Sequence, residues 1–320
     1  MDVLIVGAGA IGVAVGASLR SVGCAVSLYA RGETMQSIAR GGLHRRGLFG
    51  DLDVPAEDVT VTDDLGTFGP GAFDYILICV KTMANDAVSR ERADHRQILK
   101  DGGKLVILQN GWGNDRAYLE RFAKEQVCSA RVITGFQRLE PNVSNITVHT
   151  APVLLGNLYG LPVDDLQPLA EAIHAGGIPS QTTDDVAAAL WAKMIYNCTL
   201  NPLGAVLGLH YGALMDTPEA KAIMDELIDE IFAVMHAAGY RTYWDTPEAY
   251  KKEFYGKLVP DTYNHNSSTL QDIRKKHPTE IGTLTGKILE LAAEHGVSVP
   301  VNTMLYRQVR ALEANSRSRD

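Results

Sequence analysis

The sequence predicts an α/β protein in which a doubly wound sheet is followed by an all-helical domain, and three observations support this. An apolar run at residues 3–6 leads directly into Gly7-Ala8-Gly9-Ala10-Ile11-Gly12 and then into a helical pattern. Nearly continuous apolar runs at residues 75–80 and 104–108 are typical of central strands in a parallel sheet. Strand patterns end near Pro179, and long helical patterns follow. We therefore expect a Rossmann-type domain over residues 1–182 and an all-helical domain over residues 183–320.

Length, composition and charge narrow the classes of function. The 320 residues are 46% hydrophobic and 21% charged, which is typical of a globular protein with two domains. A net charge of −8 without a basic stripe argues against a nucleic-acid partner. No apolar run is long enough to cross a membrane, and no charged leader precedes the first strand, so we expect a cytoplasmic protein. The sequence does not fix the oligomeric state, and a homodimer is one possibility.

The four cysteines, at positions 24, 79, 128 and 198, lie far apart in apolar surroundings. Such spacing predicts buried free thiols in a reducing compartment rather than disulfides. No group of His, Cys, Asp or Glu has the spacing of metal ligands, so no metal site is expected.

Each glycine of the first loop has its own role if the loop binds a dinucleotide. Gly7 would allow the tight turn, Gly9 would let a pyrophosphate approach the backbone, and Gly12 would let the helix pack closely on the strand. Ala8, Ala10 and Ile11 would contribute backbone N–H groups at the helix N-terminus. A glycine-rich loop without a ligand is the alternative, but the strand before it and the helix after it favour dinucleotide binding.

The residue that ends the second strand indicates which dinucleotide is bound. The strand is predicted at residues 25–30, and Arg31 follows it, whereas Glu33 comes two residues late. An acidic side chain here would bind the ribose 2′-hydroxyl of NADH, while a cation suits the 2′-phosphate of NADPH. Arg31 therefore favours NADPH, the alternative being an ordinary surface arginine.

Two further polar residues follow the central strands at the edge where ligands bind in open α/β sheets. Lys81 comes directly after the strand at residues 75–80, and Asn110 follows the strand at residues 104–108. Both are candidates for cofactor contacts. The alternatives are a solvated lysine and a simple Asn-Gly turn.

The remaining strands carry less information. Residues 32–70 show no readable chemistry, although residues 58–62 predict a strand. Residues 131–134, 145–149 and 153–155 predict strands that close the sheet in a partly antiparallel manner, and residues 166–175 predict a helix.

The helix predicted at residues 184–204 carries the most informative polar residues of the second half. Lys193, Asn197 and Asn201 recur at intervals of four and therefore share one face. Its other faces are apolar, which predicts burial, and a buried lysine with two amides needs polar partners or a polar ligand. A solvated stripe is the alternative.

Later helices are predicted from their start signals. Thr217-Pro218, Thr246-Pro247 and Thr279-Glu280 each indicate a helix start, and Asn302 is expected to cap the last helix. Residues 315–320 are expected to be disordered.

Together these motifs resemble the ketopantoate reductase (2-dehydropantoate 2-reductase) family over nearly the whole chain. The resemblance rests on the glycine loop, on the pattern Trp191-x-Lys193-x-x-x-Asn197-x-x-x-Asn201-Pro202-Leu203, and on Ser267-Ser268-Thr269-Leu270-Gln271-Asp272 before Thr279-Glu280-Ile281, with Pro300-x-Asn302 further on.

The resemblance implies NADPH as cofactor, a small 2-keto acid as substrate and an active site in a cleft between the two domains. Lys193 matches the catalytic lysine and Glu280 the catalytic glutamate. Asn110, Asn197, Asn201 and Ser268 match substrate-side residues, Lys81 a cleft lysine, and Arg31 the contact of the 2′-phosphate. The implied reaction is reduction of 2-dehydropantoate to (R)-pantoate in pantothenate synthesis.

Three departures from the family pattern concern the substrate. His265 stands where asparagine is common in the family, and Ile281 is followed by Gly282 rather than by aspartate. Residues 136–142 stand where the family usually has small residues and a Pro-Gly turn. We expect these differences to lie near the substrate. They keep open an NADPH-dependent reductase of another 2-keto or imino acid. An NADP(H)-sensing protein without turnover is the further alternative.

Overall fold

The computed structural model describes residues 1–82, 85 and 95–317, which form two compact units. The first unit contains Met1–Gln109 and Asn114–Val186. The second contains the short segment Asn110–Gly113 and the chain from Ala187 onward. The chain therefore contributes to the helical unit twice, once through four residues that come shortly after a sheet strand.

The first unit is built on an eight-stranded sheet with the order β12-β11-β8-β7-β6-β1-β2-β5. Its strands are β1 (Asp2–Val6), β2 (Ala25–Tyr29), β5 (Thr60–Thr62), β6 (Phe73–Ile78), β7 (Leu99–Ile107), β8 (Val127–Arg131), β11 (Val153–Gly156) and β12 (Ser180–Thr182). Neighbouring strands pair in parallel, except that β11 runs antiparallel to β8. In the central register, Ile5 pairs with Leu28 and with Leu77. The predicted fold class is confirmed.

Both faces of this sheet are covered, which explains why its central strands are apolar throughout. The helices that the structure describes here are α1 (Ala10–Ser21), α2 (Gly32–Gly41), α3 (Arg116–Leu119) and α4 (Gln167–Ala175). On one face, Ile5 belongs to a core with Val13 of α1 and Leu169 of α4. On the other face, Leu4 belongs to a core with Tyr118 of α3. Strand alternation sends neighbouring residues of β1 into these two cores.

A second sheet in this unit corrects the strand prediction. It has the order β4-β3-β10-β9 and consists of β3 (Leu43–Gly47), β4 (Leu52–Val54), β9 (Thr134–Glu140) and β10 (Val143–His149). The strand predicted at residues 153–155 does close the main sheet, antiparallel to β8. The strand predicted at residues 145–149 does not, because β10 pairs with β3 and β9 instead.

Strand β3 of the second sheet was not predicted because it carries a charge on its buried face. Arg45 is 2% exposed. Its guanidinium donates to Ser18 Oγ at 2.6 Å, to the Gly176 carbonyl at 2.5 Å and to the Phe49 carbonyl at 3.0 Å. These oxygens replace the water that the guanidinium loses on burial. A pattern based on apolar residues cannot recognise such a strand.

The second unit is helical in the part of the chain that is described. Its helices are α5 (Val186–Leu207), α6 (Tyr211–Asp216), α7 (Pro218–Ala237), α8 (Pro247–Glu253), α9 (Ser268–Arg274), α10 (Thr285–His295) and α11 (Pro300–Arg317). As predicted, α7 and α8 begin at prolines. Thr246 caps α8 by accepting from the Ala249 N–H at 3.2 Å, whereas the Thr217 hydroxyl donates to the Ala213 carbonyl.

Three predictions about the helix ends are wrong. Glu280 does not start a helix, because α10 begins at Thr285. Asn302 lies inside α11 rather than before it, and the Glu230 carboxylate accepts from the N–H groups of Val301 and Asn302 at 2.9 Å each. A carboxylate from another helix thus takes the place of a local cap. Helix α11 also continues through 315–317, and residues 318–320 lie outside the described chain.

The four cysteines are free, as predicted, and three of them are buried. No helix among the described residues is long and apolar enough to cross a membrane.

Candidate active site

In the first unit, the glycine loop (residues 7–12) joins β1 to α1. At two of its positions, Gly7 and Gly12, the surrounding atoms leave no room for a side chain. Gly7 has φ +99°, and a Cβ there would lie 2.6 Å from Val80 Cγ1. A Cβ at Gly12 would lie 2.2 Å from the Gly7 carbonyl oxygen. Both glycines are therefore required by the turn and by the close packing of helix on strand.

Gly9 differs from the other two glycines because a Cβ there would meet nothing within 4 Å. Gly9 is the N-cap of α1 and offers no side-chain acceptor to the first N–H groups of the helix, at Ala10 and Ile11. An open space beside N–H groups at a helix N-terminus suits a phosphate. The loop therefore fits the pyrophosphate of a dinucleotide, and Ala8 within it is buried.

Arg31 lies two residues after the end of β2, at the N-cap position of α2, and is exposed. Its Nε donates to the Tyr29 hydroxyl at 3.0 Å, and its Cζ lies 5.3 Å from the centroid of the Tyr29 ring. The last residue of β2 thus orients the guanidinium. Lys81 is exposed three residues after β6 ends.

In the second unit, three residues far apart in the sequence form the lysine cluster (Lys193, Asn110 and Glu280). Lys193 Nζ donates to Asn110 Oδ1 at 2.5 Å, and Asn110 Nδ2 donates to Glu280 Oε2 at 3.0 Å. All three residues are half-buried. The amide of Asn110 therefore bridges an ammonium donor and a carboxylate acceptor.

The short segment Asn110–Gly113 is fixed by more than the side chain of Asn110. Gly111 has φ +97°, and a Cβ there would lie 2.5 Å from the Thr283 carbonyl oxygen. The Trp112 ring packs against Trp191 and Tyr240, with centroids 5.2 and 4.8 Å away. The packing of Trp112 against these two rings therefore fixes the Asn-Gly turn that carries Asn110. Trp112 was not among the predicted site residues, and its only signal in the sequence is its place after Asn-Gly.

Glu280 lies in a turn whose backbone is held by a residue that sequence reasoning also missed. The Thr279 N–H and hydroxyl donate to Glu313 Oε1 at 2.7 and 2.6 Å, and Arg310 pairs with the other carboxylate oxygen at 2.6 Å. Glu313 is 3% exposed. In sequence it looks like an ordinary helix glutamate, so no signal could have indicated this contact.

The other predicted substrate residues have separate neighbours. Asn197 is half-buried one turn after Lys193. Asn201 is buried, and its Oδ1 accepts from the Tyr211 hydroxyl at 2.7 Å. The carbonyl of Asn201 accepts from Ser267 Oγ at 3.2 Å. Ser267, rather than Ser268, is thus buried against α5, and Ser268 is the exposed first residue of α9.

The departures from the family pattern lie in both units. In the second unit, the His265 ring packs on Tyr211 at 5.2 Å between centroids, and burial lowers the pKa of its imidazole. Most of residues 136–142 form β9, in the second sheet of the first unit. Arg138 of β9 donates to the Thr34 hydroxyl on α2. This segment therefore has neighbours in the first unit that we did not expect.

Two family models match most of the chain. The model described as ketopantoate reductase PanE/ApbA matches residues 3–159, and the model for the C-terminal part of that family matches residues 185–313. The 2-dehydropantoate 2-reductase of Aquifex aeolicus is 34% identical over 317 residues, covering 98% of this chain and 97% of the relative. The enzyme of that name from Pyrococcus horikoshii is 28% identical and covers 98% of each chain.

Solved structures agree with these matches. A PanE/ApbA family ketopantoate reductase from Ralstonia eutropha superposes with a TM-score of 0.85 at 29% identity, covering 99% of this chain and 100% of the other. A D-mandelate dehydrogenase solved with NADH and anilino(oxo)acetate gives a TM-score of 0.84 with the same coverage. At 22% identity, the second likeness concerns the fold alone.

Proposed function

Since this chain belongs to the ketopantoate reductase family of oxidoreductases, we propose that it reduces the 2-keto group of 2-dehydropantoate with NADPH, giving (R)-pantoate for pantothenate synthesis. The observation that carries the proposal is the lysine cluster, where an ammonium, an amide and a carboxylate are joined by hydrogen bonds. In this proposal residues 1–182 bind the cofactor, and residues 183–320 supply the catalytic and substrate-binding side chains.

The cofactor fits the first unit on structural grounds. Gly7 and Gly12 have no room for a Cβ, while Gly9 faces open space at the N-terminus of α1. Arg31, held by Tyr29 at the end of β2, supplies the positive charge that the 2′-phosphate of NADPH requires. When bound, NADPH supplies a hydride to the carbonyl carbon of the substrate. Lys81 is the further cofactor contact in this proposal.

Lys193 has the properties that the reduction requires. As the carbonyl carbon accepts the hydride, negative charge develops on the carbonyl oxygen, and a fixed cation stabilises it. The Lys193 ammonium has three N–H donors, of which one binds Asn110. Another can bind the oxygen and transfer its proton, leaving the neutral alcohol and a neutral amine that water reprotonates.

The neighbouring polar groups position the lysine and the substrate. Asn110 fixes the direction of the Lys193 ammonium because it is itself held by Glu280. Glu280 can accept a hydrogen bond from the substrate hydroxyl, while Asn197 and Ser268 suit its carboxylate. Asn201 supports Tyr211 and Ser267, so its contribution to the substrate is through the shape of the site.

The test is a substrate panel assayed by the loss of reduced-nicotinamide absorbance. The panel contains 2-dehydropantoate, pyruvate, 2-ketoisovalerate and oxaloacetate, each with NADPH and with NADH. We expect turnover to be fastest with 2-dehydropantoate and NADPH. Tight NADPH binding without turnover of 2-dehydropantoate would contradict the proposed substrate.

A second candidate is reduction of an aromatic 2-keto acid, and the pair His265 and Tyr211 favours it. The two rings are in tilted contact beside Asn201, and His265 is the exposed member of the pair, so its ring provides the aromatic surface. The D-mandelate dehydrogenase that shares the fold was solved with anilino(oxo)acetate, an aromatic compound. Adding phenylglyoxylate to the panel distinguishes the two candidates, because only an aromatic-specific enzyme would prefer it over 2-dehydropantoate.

A further inference from the structure

A second arginine lies at the start of α2, close in the fold to the proposed 2′-phosphate contact. Arg138 of β9 donates from Nη2 to Thr34 Oγ1 at 2.6 Å. Thr34 is the third residue of α2, and Arg31 is the N-cap of the same helix. Arg31 has extended backbone, but the N-cap and the third helical residue are the two positions that a capping box joins, so Arg31 and Thr34 lie at the same end of the helix. The contact therefore brings a cation from β9 to the turn that carries Arg31.

The charge of Arg138 is available to an anion. Its three hydrogen bonds in the described chain go to neutral oxygens, namely the Thr34 hydroxyl and the carbonyls of Glu140 and Pro141. Arg138 is exposed, and a guanidinium has five N–H donors. The acidic residue in the first turn of α2 is Glu33. Its single negative charge is smaller than the two positive charges of Arg31 and Arg138, so these three residues together are positively charged.

We propose that Arg138 is a second binding residue for the 2′-phosphate of NADPH, acting beside Arg31 and held in place by Thr34. This inference rests on the proposed function, in which Arg31 contacts that phosphate. The planar guanidinium matches phosphate oxygens in pairs, and two arginines suit the nearly double negative charge of a phosphate monoester. NADH lacks this group, so Arg138 contributes to selection between the two cofactors.

The proposal gives residues 136–142 a role that differs from the one expected from sequence. Their departure from the family pattern places an arginine on β9, within hydrogen-bond distance of α2 in the first unit. The segment therefore affects which cofactor binds rather than which keto acid.

The experiment measures dissociation constants for NADPH and NADH with the wild type and Arg138→Ala. We expect NADPH to bind about 10- to 100-fold more weakly to the variant, the usual loss for a hydrogen bond to a charged group. NADH affinity should stay within about twofold. The matched control is Arg40→Ala, an exposed arginine in the last turn of the same helix, which should change neither affinity. Thr34→Val should give a smaller selective loss.

The outcomes separate this inference from the function on which it rests. If the wild type prefers NADPH but Arg138→Ala weakens both cofactors equally, or neither, the role of Arg138 is overturned and the NADPH-dependent reductase stands. If the wild type binds NADH as tightly as NADPH, Arg138 is overturned together with the NADPH assignment. The substrate panel with NADH then decides whether the reductase function survives. A selective loss of NADPH, repeated with 2′-AMP against 5′-AMP, supports the proposal.

Discussion

The glycine loop is made by the backbone of six consecutive residues, whereas the lysine cluster is made by side chains from positions 110, 193 and 280. In the loop, Gly7 and Gly12 are needed because a Cβ would meet backbone or side-chain atoms of the fold. In the cluster, each side chain depends on a partner that the sequence does not place nearby. The comparison shows that a local motif can be recognised in the sequence, while a distant cluster exists only once the chain has folded.

The largest effect should come from removing the centre of the cluster while leaving the loop intact. We expect Lys193→Ala to lower kcat about 100- to 1,000-fold, since the charge on the carbonyl oxygen loses its stabilising donor. Cofactor affinity should be unchanged because the glycine loop is in the other unit. The measurements are steady-state turnover of the keto acid and equilibrium binding of NADPH.

The matched control is Lys257→Ala, a mostly exposed lysine of the same unit that pairs with Glu253. It should retain wild-type kcat. Full turnover by Lys193→Ala would contradict the assigned role of Lys193, and an equal loss in the Lys257→Ala control would point to a general charge effect.

Two substitutions in the glycine loop should distinguish an effect on the stability of the fold from an effect on cofactor binding. Gly12→Ala places a Cβ 2.2 Å from the Gly7 carbonyl, so we expect the free energy of unfolding to fall by about 1–3 kcal/mol, as for overpacked cores. Gly9→Ala meets no protein atom within 4 Å, so its stability should change by less than about 1 kcal/mol, the scale of an N-cap change.

The distinguishing result is the cofactor affinity of Gly9→Ala. Its new methyl group enters the space proposed for the pyrophosphate, so NADPH should bind more weakly although thermal unfolding is nearly unchanged. Wild-type NADPH affinity in Gly9→Ala would show that the dinucleotide does not approach the backbone here.

A smaller effect is expected where the cluster is supported from a distance. Glu313→Gln replaces the buried carboxylate that holds Thr279 and the turn carrying Glu280. We expect kcat/KM to fall about tenfold, in proportion to the loss of a charged acceptor, with NADPH affinity unchanged. Glu253→Gln, a partly exposed control in the same unit, should behave as the wild type. If Glu313→Gln loses stability but keeps its kcat/KM, Glu313 is structural only.

The smallest expected effect is on the reactivity of two thiols, Cys79 near the glycine loop and Cys198 near the lysine cluster. Cys79 follows β6 and donates its N–H to the Val6 carbonyl before the loop, and Cys198 follows Asn197 on α5. Burial raises the pKa of each thiol to about 12, so both are protonated at neutral pH. A thiol reagent should therefore react with the native protein very slowly, with rates that rise as pH increases. Binding of NADPH should slow the reaction of the half-buried Cys79 further and leave Cys198 unchanged, and rapid labelling of Cys198 would contradict its burial.

How far the sequence predicts the molecule depends on whether contacts are local. The parallel sheet was predicted from apolar runs of neighbouring residues, and this prediction is confirmed. The shared face of Lys193 and Asn197 follows from helical spacing on α5, which the structure contains.

The errors have the opposite origin. The strand that contains Arg45 was not predicted because this buried charge is held by oxygens that include Ser18 Oγ and the Gly176 carbonyl, both from distant segments. Glu230 replaced Asn302 as the cap of α11, and Glu313 holds the turn where a helix start was predicted at Glu280. In each case a polar contact between segments far apart in the chain decided the outcome, and no neighbouring residue indicates it. The roles of the candidate site residues stay predictions.

The four residues Asn110–Gly113 have a consequence for how the protein is made. They are translated long before the chain from Ala187 onward, yet they belong to the same compact unit. The ribosome therefore releases Asn110 and Trp112 well before their partners Lys193 and Trp191 exist. The helical unit cannot be completed during synthesis of the first half, and a gene fragment that begins after the sheet would encode it without a piece of its own interior.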